Sequence, residues 1–209
     1  PLVIKKTATS PLGTNQFASQ TGTTLIITSL DGLQQVSGTT GNVQFTTANK
    51  SFNQVATFWY VGKNDQFTGD AITTTSSAKT IICDLFDNTK KLTLSNFTGI
   101  TNPGLLDIRK GQFIETTTAY ITGTNGGLTM ADGTLYQIPR LSADSSDLIP
   151  RLTGISNICS LSGSSTIELN GAGDQILRGA RDYINLTFST SGSKTLSSAL
   201  PSNSLDGIV

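Results

Sequence analysis

Any chemistry in this chain has to be done without histidine, which is absent from its 209 residues. That excludes Ser-His-Asp and Cys-His nucleophile pairs, His-containing zinc sites and imidazole acid-base catalysis within one chain. Paired carboxylates are what remains, since glycoside hydrolysis needs only two of them at a suitable separation. The pairs close in sequence are Asp65 with Asp70, Asp84 with Asp87, and Asp107 with Glu115. Each also reads as turn or surface charge, and no catalytic residue is assigned. Asp144 and Asp147 depart from the spacing of an EF-hand loop and lack its Gly and final Glu, so no metal ligand is assigned either. Gly171-Ala172-Gly173 has no third glycine and no helix after it, which leaves no nucleotide fingerprint and no cofactor. Cys83 shares a face with Ile81 and Leu85, and Cys159 with Ile155 and Leu161, so both read as small buried hydrophobes. The triplets beginning at Asn49, Asn96 and Asn185 match a glycosylation pattern, but in a chain so rich in Ser and Thr they receive no function.

Two groups of apolar residues read as contact surface instead. Phe58, Trp59 and Tyr60, in the run from Val55 to Val61, put aromatics on both faces of one strand. Core is the first reading for them; a subunit interface or a sugar-stacking platform is the alternative. Leu2, Val3, Ile4, Leu12 and Phe17 are the sizeable apolar groups of the first twenty residues and share no period. Ordering that many residues costs about 1 to 2 kcal/mol each, more than five buried side chains at about 1.5 to 3 kcal/mol offset. Residues 1–20 are therefore expected to be an extended arm that docks on a neighbouring subunit.

The elements that would carry these residues are strands. Ile167 and Leu169 alternate with polar neighbours, Asn170 to Asp174 breaks the run, and Gln175 to Leu177 resumes it. After a second break at Gly179 to Asp182, Ile184, Leu186 and Phe188 share one face. This is the period of half-buried strands joined by Gly, Asn and Asp corners. Further strands are expected at 23–29, 42–47, 80–86, 91–94 and 128–130, with Phe113 to Thr122 as one strand whose threonines face solvent or form a ladder between coils. Short strands and short corners suit a β-solenoid, or parallel β-helix, with a β-sandwich as the alternative. Tyr183-Ile184-Asn185-Leu186-Thr187 followed by Ser191-Gly192-Ser193-Lys194-Thr195-Leu196 resembles segments of phage fibre and tail-spike-like proteins and of bacterial surface β-solenoids. The resemblance is confined to residues 164–196; it implies the solenoid architecture and names no ligand.

Composition narrows the rest. Lys+Arg and Asp+Glu both number 14, so the formal charge is zero and no long-range field gathers nucleic acid or an anionic membrane. Charged residues make up 13%, about half the usual share, so the abundant polarity is uncharged. No run of apolar residues is long enough to span a bilayer, and no h-region opens the sequence. The expected organisation is a docking arm at 1–20, a β-rich domain at 21–138, a Pro/Ser/Asp linker or loop at 139–152 between Ile138-Pro139-Arg140-Leu141 and its near-duplicate at 149–152, and a solenoid-like segment at 153–209. The expected function is non-enzymatic: a structural component of a virion, made in the host cytoplasm, forming a homo-oligomer with a trimer favoured. Its partners would be other virion or surface proteins, with a cell-surface glycan as a ligand option. The rivals are a secreted adhesin or ice-binding-like module on the cell surface, and a carbohydrate-cleaving β-helix.

Overall fold

Alternating apolar residues fold into a wall only when a second strand covers their polar backbone, and here the cover is always another coil of the same chain. The computed structural model describes residues 4–5, 17–18, 22–33, 40–44, 50–51, 57–69, 80–96, 98–99, 104–122, 126–141, 159–177, 183–196 and 207–208. In chain order the strands are β1 (Ile4–Lys5), β2 (Phe17–Ala18), β3 (Thr24–Ile27), β4 (Val43–Gln44), β5 (Lys50–Ser51), β6 (Thr57–Tyr60) and β7 (Gln66–Phe67). They continue as β8 (Thr80–Asp84), β9 (Lys91–Thr93), β10 (Thr98–Gly99), β11 (Leu105–Lys110), β12 (Gln112–Ile114), β13 (Ile121–Thr122) and β14 (Gly127–Met130). The last are β15 (Leu135–Ile138), β16 (Cys159–Leu161), β17 (Thr166–Leu169), β18 (Gln175–Leu177), β19 (Asn185–Phe188), β20 (Lys194–Leu196) and β21 (Gly207–Ile208).

The strand pairs are parallel, and the order of strands in each sheet follows the chain. One sheet runs β3, β6, β8, β11, β14, β16; another runs β7, β9, β12, β15, β17, β19, β21. Each coil contributes a strand to the first sheet, turns a corner, contributes to the second, and returns one level up. This is a β-solenoid, with no helix among the described residues. A sandwich of antiparallel hairpins is excluded by the parallel pairing.

Register turns the alternation of each strand into columns. Leu25, Phe58, Ile81, Leu106 and Leu128 stack on one another inside the coil, as do Ile27, Tyr60, Cys83, Ile108 and Met130. Opposite them stand Leu92, Phe113, Tyr136, Ile167 and Leu186. Apart from partly buried Leu25, all of these are buried in one apolar cluster, with Phe113 and Tyr136 edge to face at 5.6 Å between ring centres. Ile81, Cys83 and Leu85 point inward as their spacing required, at 0%, 0% and 2% exposure.

Corners repeat a device of their own. Gly62-Lys63-Asn64-Asp65-Gln66 and Gly171-Ala172-Gly173-Asp174-Gln175 share Gly-x-x-Asp-Gln. In both, the glycine N–H donates to the Gln Oε1, and Gln Nε2 donates to two carbonyls of the coil below: Ile27 and Ser29 for Gln66, Ile138 and Arg140 for Gln175. The Asp takes an N–H from the coil above, Asp65 from Lys91 at 3.0 Å and Asp174 from Ser193 at 2.8 Å. A methyl group on Gly62 would lie 2.3 Å from Gln66 Cδ, so the clamp closes only on glycine. Asn88 and Asp132 tie other corners in the same way, accepting from the N–H of Gly111 and of Ser164.

Three expectations change. β1 pairs with β4 and β2 with β5, so Ile4–Lys5 and Phe17–Ala18 belong to the chain's own coils and not to an arm lying clear of them. Their backbone bonds are met intramolecularly, which the sparse apolar content of 1–20 did not reveal; Leu2, Val3 and Leu12 lie outside the described residues, as do the side chains of Ile4 and Phe17. The division at 139–152 is not a domain boundary, because β14 pairs with β16 and β15 with β17 across it. Pro139, Arg140 and Leu141 continue the coil, and 142–152 lie outside the described residues. Phe113 to Thr122 is not one strand: Thr116 Oγ1 accepts from the N–H of Ala119 at 2.8 Å and closes a corner between β12 and β13. A hydroxyl able to bond nearby backbone outweighs threonine's preference for strands there.

Candidate functional site on the outer face

The wall that holds the core divides the aromatic triplet. Phe58 and Tyr60 are fully buried, whereas Trp59, between them, points outward and is partly exposed. On the outer surface of the first sheet Trp59 is followed in register by Ile82, Asp107 and Thr129, one from each successive coil. Ile82 keeps 7% exposure without joining the interior cluster, so it is the outer side chains that cover it.

These residues are bonded to one another across β6, β8, β11 and β14. The indole Nε1 donates to Asp84 Oδ2 at 3.1 Å, which fixes the ring against the sheet. The Arg109 guanidinium lies over that ring, its Cζ 5.7 Å from the centroid, in cation-π geometry. Arg109 Nε pairs with Asp107 Oδ2 at 2.6 Å, and Asp107 Oδ1 accepts from the Thr129 hydroxyl at 2.6 Å. The pairing of β8 with β11 slips between Ile108 and Lys110, which sets Lys110 opposite Asp84. A bulge of this kind re-aims side chains, and here it coincides with Arg109. The result is an aromatic ring fixed among two carboxylates, a guanidinium and a hydroxyl on an open face.

Comparison with protein-family models, curated proteins and solved structures finds no match to the chain. The reading of the site therefore rests on its own geometry.

Of the carboxylate pairs read from sequence, Asp107 with Glu115 does not assemble. Asp107 is outside the wall and Glu115 inside it, with a strand backbone between them. Asp87 folds onto its own turn, taking the Thr89 hydroxyl and N–H, and these bonds hold its carboxyl below the usual carboxylate range. Asp65 is spent on the corner; Asp70, Asp144 and Asp147 lie outside the described residues. The juxtaposition that does form, Asp84 with Asp107 on neighbouring strands, joins residues of different coils, a spacing that follows from coil length and not from any local motif. Arg109 and Thr129 carried no signal in the sequence for the same reason.

Two further groups have settled roles. The Cys83 thiol is free and buried; burial first, then the charges of Asp84 and Asp107, raise its pKa, so it is no nucleophile. Lys194, in the stretch that resembles other solenoids, donates to the carbonyls of Gly171, Gly173 and Ser191 at 2.6 to 3.0 Å. Its role is to clasp a corner, and the partial desolvation this entails lowers its pKa.

Proposed function

We propose that the protein is a non-enzymatic structural element of a virion or fibre, a β-solenoid shaft that assembles through its N-terminal coils. The observation that carries this reading is where apolar side chains remain exposed. Leu30 and Phe67, at 52 and 50% exposure, belong to the first coils, and the Phe67 N–H bonds the Leu30 carbonyl, which makes them neighbours. Two exposed large hydrophobes side by side fit burial against a partner. With 14 charges of each sign in the whole chain, such contact meets little net repulsion.

Native mass spectrometry of the whole chain tests this. A trimer, three times the 22.0 kDa of the protomer, is expected, with cleavage by protease within residues 1–20 suppressed in the assembly. Substituting Phe67 and Leu30 together by Ser should dissociate it while leaving the β-type circular dichroism in place. A monomer at every concentration, or a trimer indifferent to those two substitutions, would count against assembly through these coils.

A further inference from the structure

We propose that the outer face around Trp59 binds an uncharged oligosaccharide, with Arg109 and Asp84 as the groups that take its hydroxyls and the exposed part of the Trp59 ring beside the Arg109 guanidinium as its apolar contact. Asp84 spends Oδ2 on the indole, and no bond from a described residue reaches its Oδ1. Arg109 spends Nε on Asp107, while its side chain stays 48% exposed and its terminal nitrogens have no partner among the described residues. A guanidinium fork and a carboxylate oxygen beside an aromatic ring offer both donors and acceptors to hydroxyl groups.

Charge selects the class of ligand. Asp84, Asp107, Arg109 and Lys110 sum to zero and are already paired or in register with each other, so neither a polyanion nor a polycation gains from the site. What fits is a molecule with many neutral hydroxyls and one apolar C–H face, which is a saccharide. Because the groups come from successive coils about 4.8 Å apart, a chain laid along the solenoid axis meets them in turn, whereas a single sugar meets one or two. The bonds from Trp59 to Asp84 and from Arg109 to Asp107 and Thr129 hold the groups in place beforehand, which reduces the ordering cost of binding. Nothing in this depends on assembly, and the site belongs to one protomer.

Trp59 is the one tryptophan of the chain, so its emission reports on the site directly. The whole protein is titrated with malto-, cello- and manno-oligosaccharides of increasing length and, separately, with sulfated and uronic-acid oligosaccharides. A saturable change in emission with a neutral series is expected, tightening with chain length. Arg109→Ala and Asp84→Asn should each raise the Kd tenfold or more with unchanged circular dichroism, Asn being able still to accept the indole N–H. Trp59→Ala, followed by calorimetry, should abolish binding. Flat emission across both panels at millimolar sugar would overturn the proposal, as would tighter binding of the anionic series or binding that survives Arg109→Ala and Trp59→Ala undiminished.

Discussion

At Glu115 a carboxylate occupies a place in the interior column of the second sheet, beside Leu94 and Ile138. Its Oε1 accepts from Tyr136 at 2.6 Å and from the Ile121 N–H at 2.8 Å, while Oε2 accepts no hydrogen bond. Arg140 Nε stands 4.0 Å away, beyond hydrogen-bonding distance, and its guanidinium lies 4.4 Å from the centre of the Tyr120 ring. Burial dominates the balance and raises the Glu115 pKa from 4.5 to about 7, against the lowering effect of Arg140 and the two hydrogen bonds. Between those values the folded state holds a proton that the unfolded state has released, so stability falls as pH rises. The contribution is fully present below about pH 4.5 and is lost through about pH 7, on the order of 3 kcal/mol at one pKa unit per about 1.4 kcal/mol. Glu115→Gln should remove that slope: denaturant unfolding from pH 5 to pH 8 should show a decline in the wild type that the variant lacks. Parallel curves for the two proteins would show that Glu115 does not titrate in this window.

Among the elements, the corners hold more than their exposed sequences suggest. Gln66 and Gln175 are buried, and each satisfies a glycine N–H and adds a bond to two carbonyls, of which those of Ile27, Ser29 and Ile138 also accept from a backbone N–H. Gln175→Ala would take the acceptor from the Gly171 N–H and one donor from the Arg140 carbonyl, at about 1 to 3 kcal/mol apiece, while the Ile138 carbonyl keeps the Asn170 N–H. Gln66→Ala should cost about 1 to 3 kcal/mol, for the Gly62 N–H alone, since the Ile27 and Ser29 carbonyls keep backbone donors, and Gln→Glu at either position should do no better, because a carboxylate has no N–H to give the carbonyls. Thermal unfolding of the four variants checks this; a loss below about half a kcal/mol, the size of a surface substitution, would mean that water replaces the clamp. The contrast explains what could be read from the sequence. The strands around Ile81 to Leu85 and Ile167 to Leu169 were legible because alternation is local. The inward turn of Gln66 was not, because its partners, Ile27 and Ser29, lie one coil away. The aromatic triplet mixed the two cases: alternation implied that Trp59 faces away from Phe58 and Tyr60, but which face is solvent depends on a sheet that sequence does not display. Asp107 and Glu115 looked like a pair for the same reason, since spacing along the chain does not show the wall between them.

For the molecule as a whole, the two sheets make a scaffold whose outer face, among the described residues, presents the carboxylates Asp84 and Asp107. Asp84 and Asp107 are committed to Trp59 and Arg109, and the remaining buried acid is a core residue. We expect no cleavage activity: incubation with a panel of bacterial surface polysaccharides should release no reducing ends. Release that disappears in Asp84→Asn or Asp107→Asn would instead make the outer carboxylates a hydrolytic pair and displace the structural reading.

The ordering of strands within each sheet bears on how the protein carries load. Among the described residues each strand of the two large sheets pairs only with the strand before and the strand after, so the hydrogen bonding between coils is a series of similar links. A pull along the axis acts in the direction of the hydrogen bonds between coils and opens a strand pair one bond after another, where a pull across the axis would have to shear the whole pair at once. The Gln and Asp clamps then act as pawls at the corners. Stretched from its ends in an optical trap, a single molecule should lengthen in steps of about one coil, with the largest forces at the coils fastened by Gln66 and Gln175, and one abrupt rupture of the entire chain would show that the coils fail together.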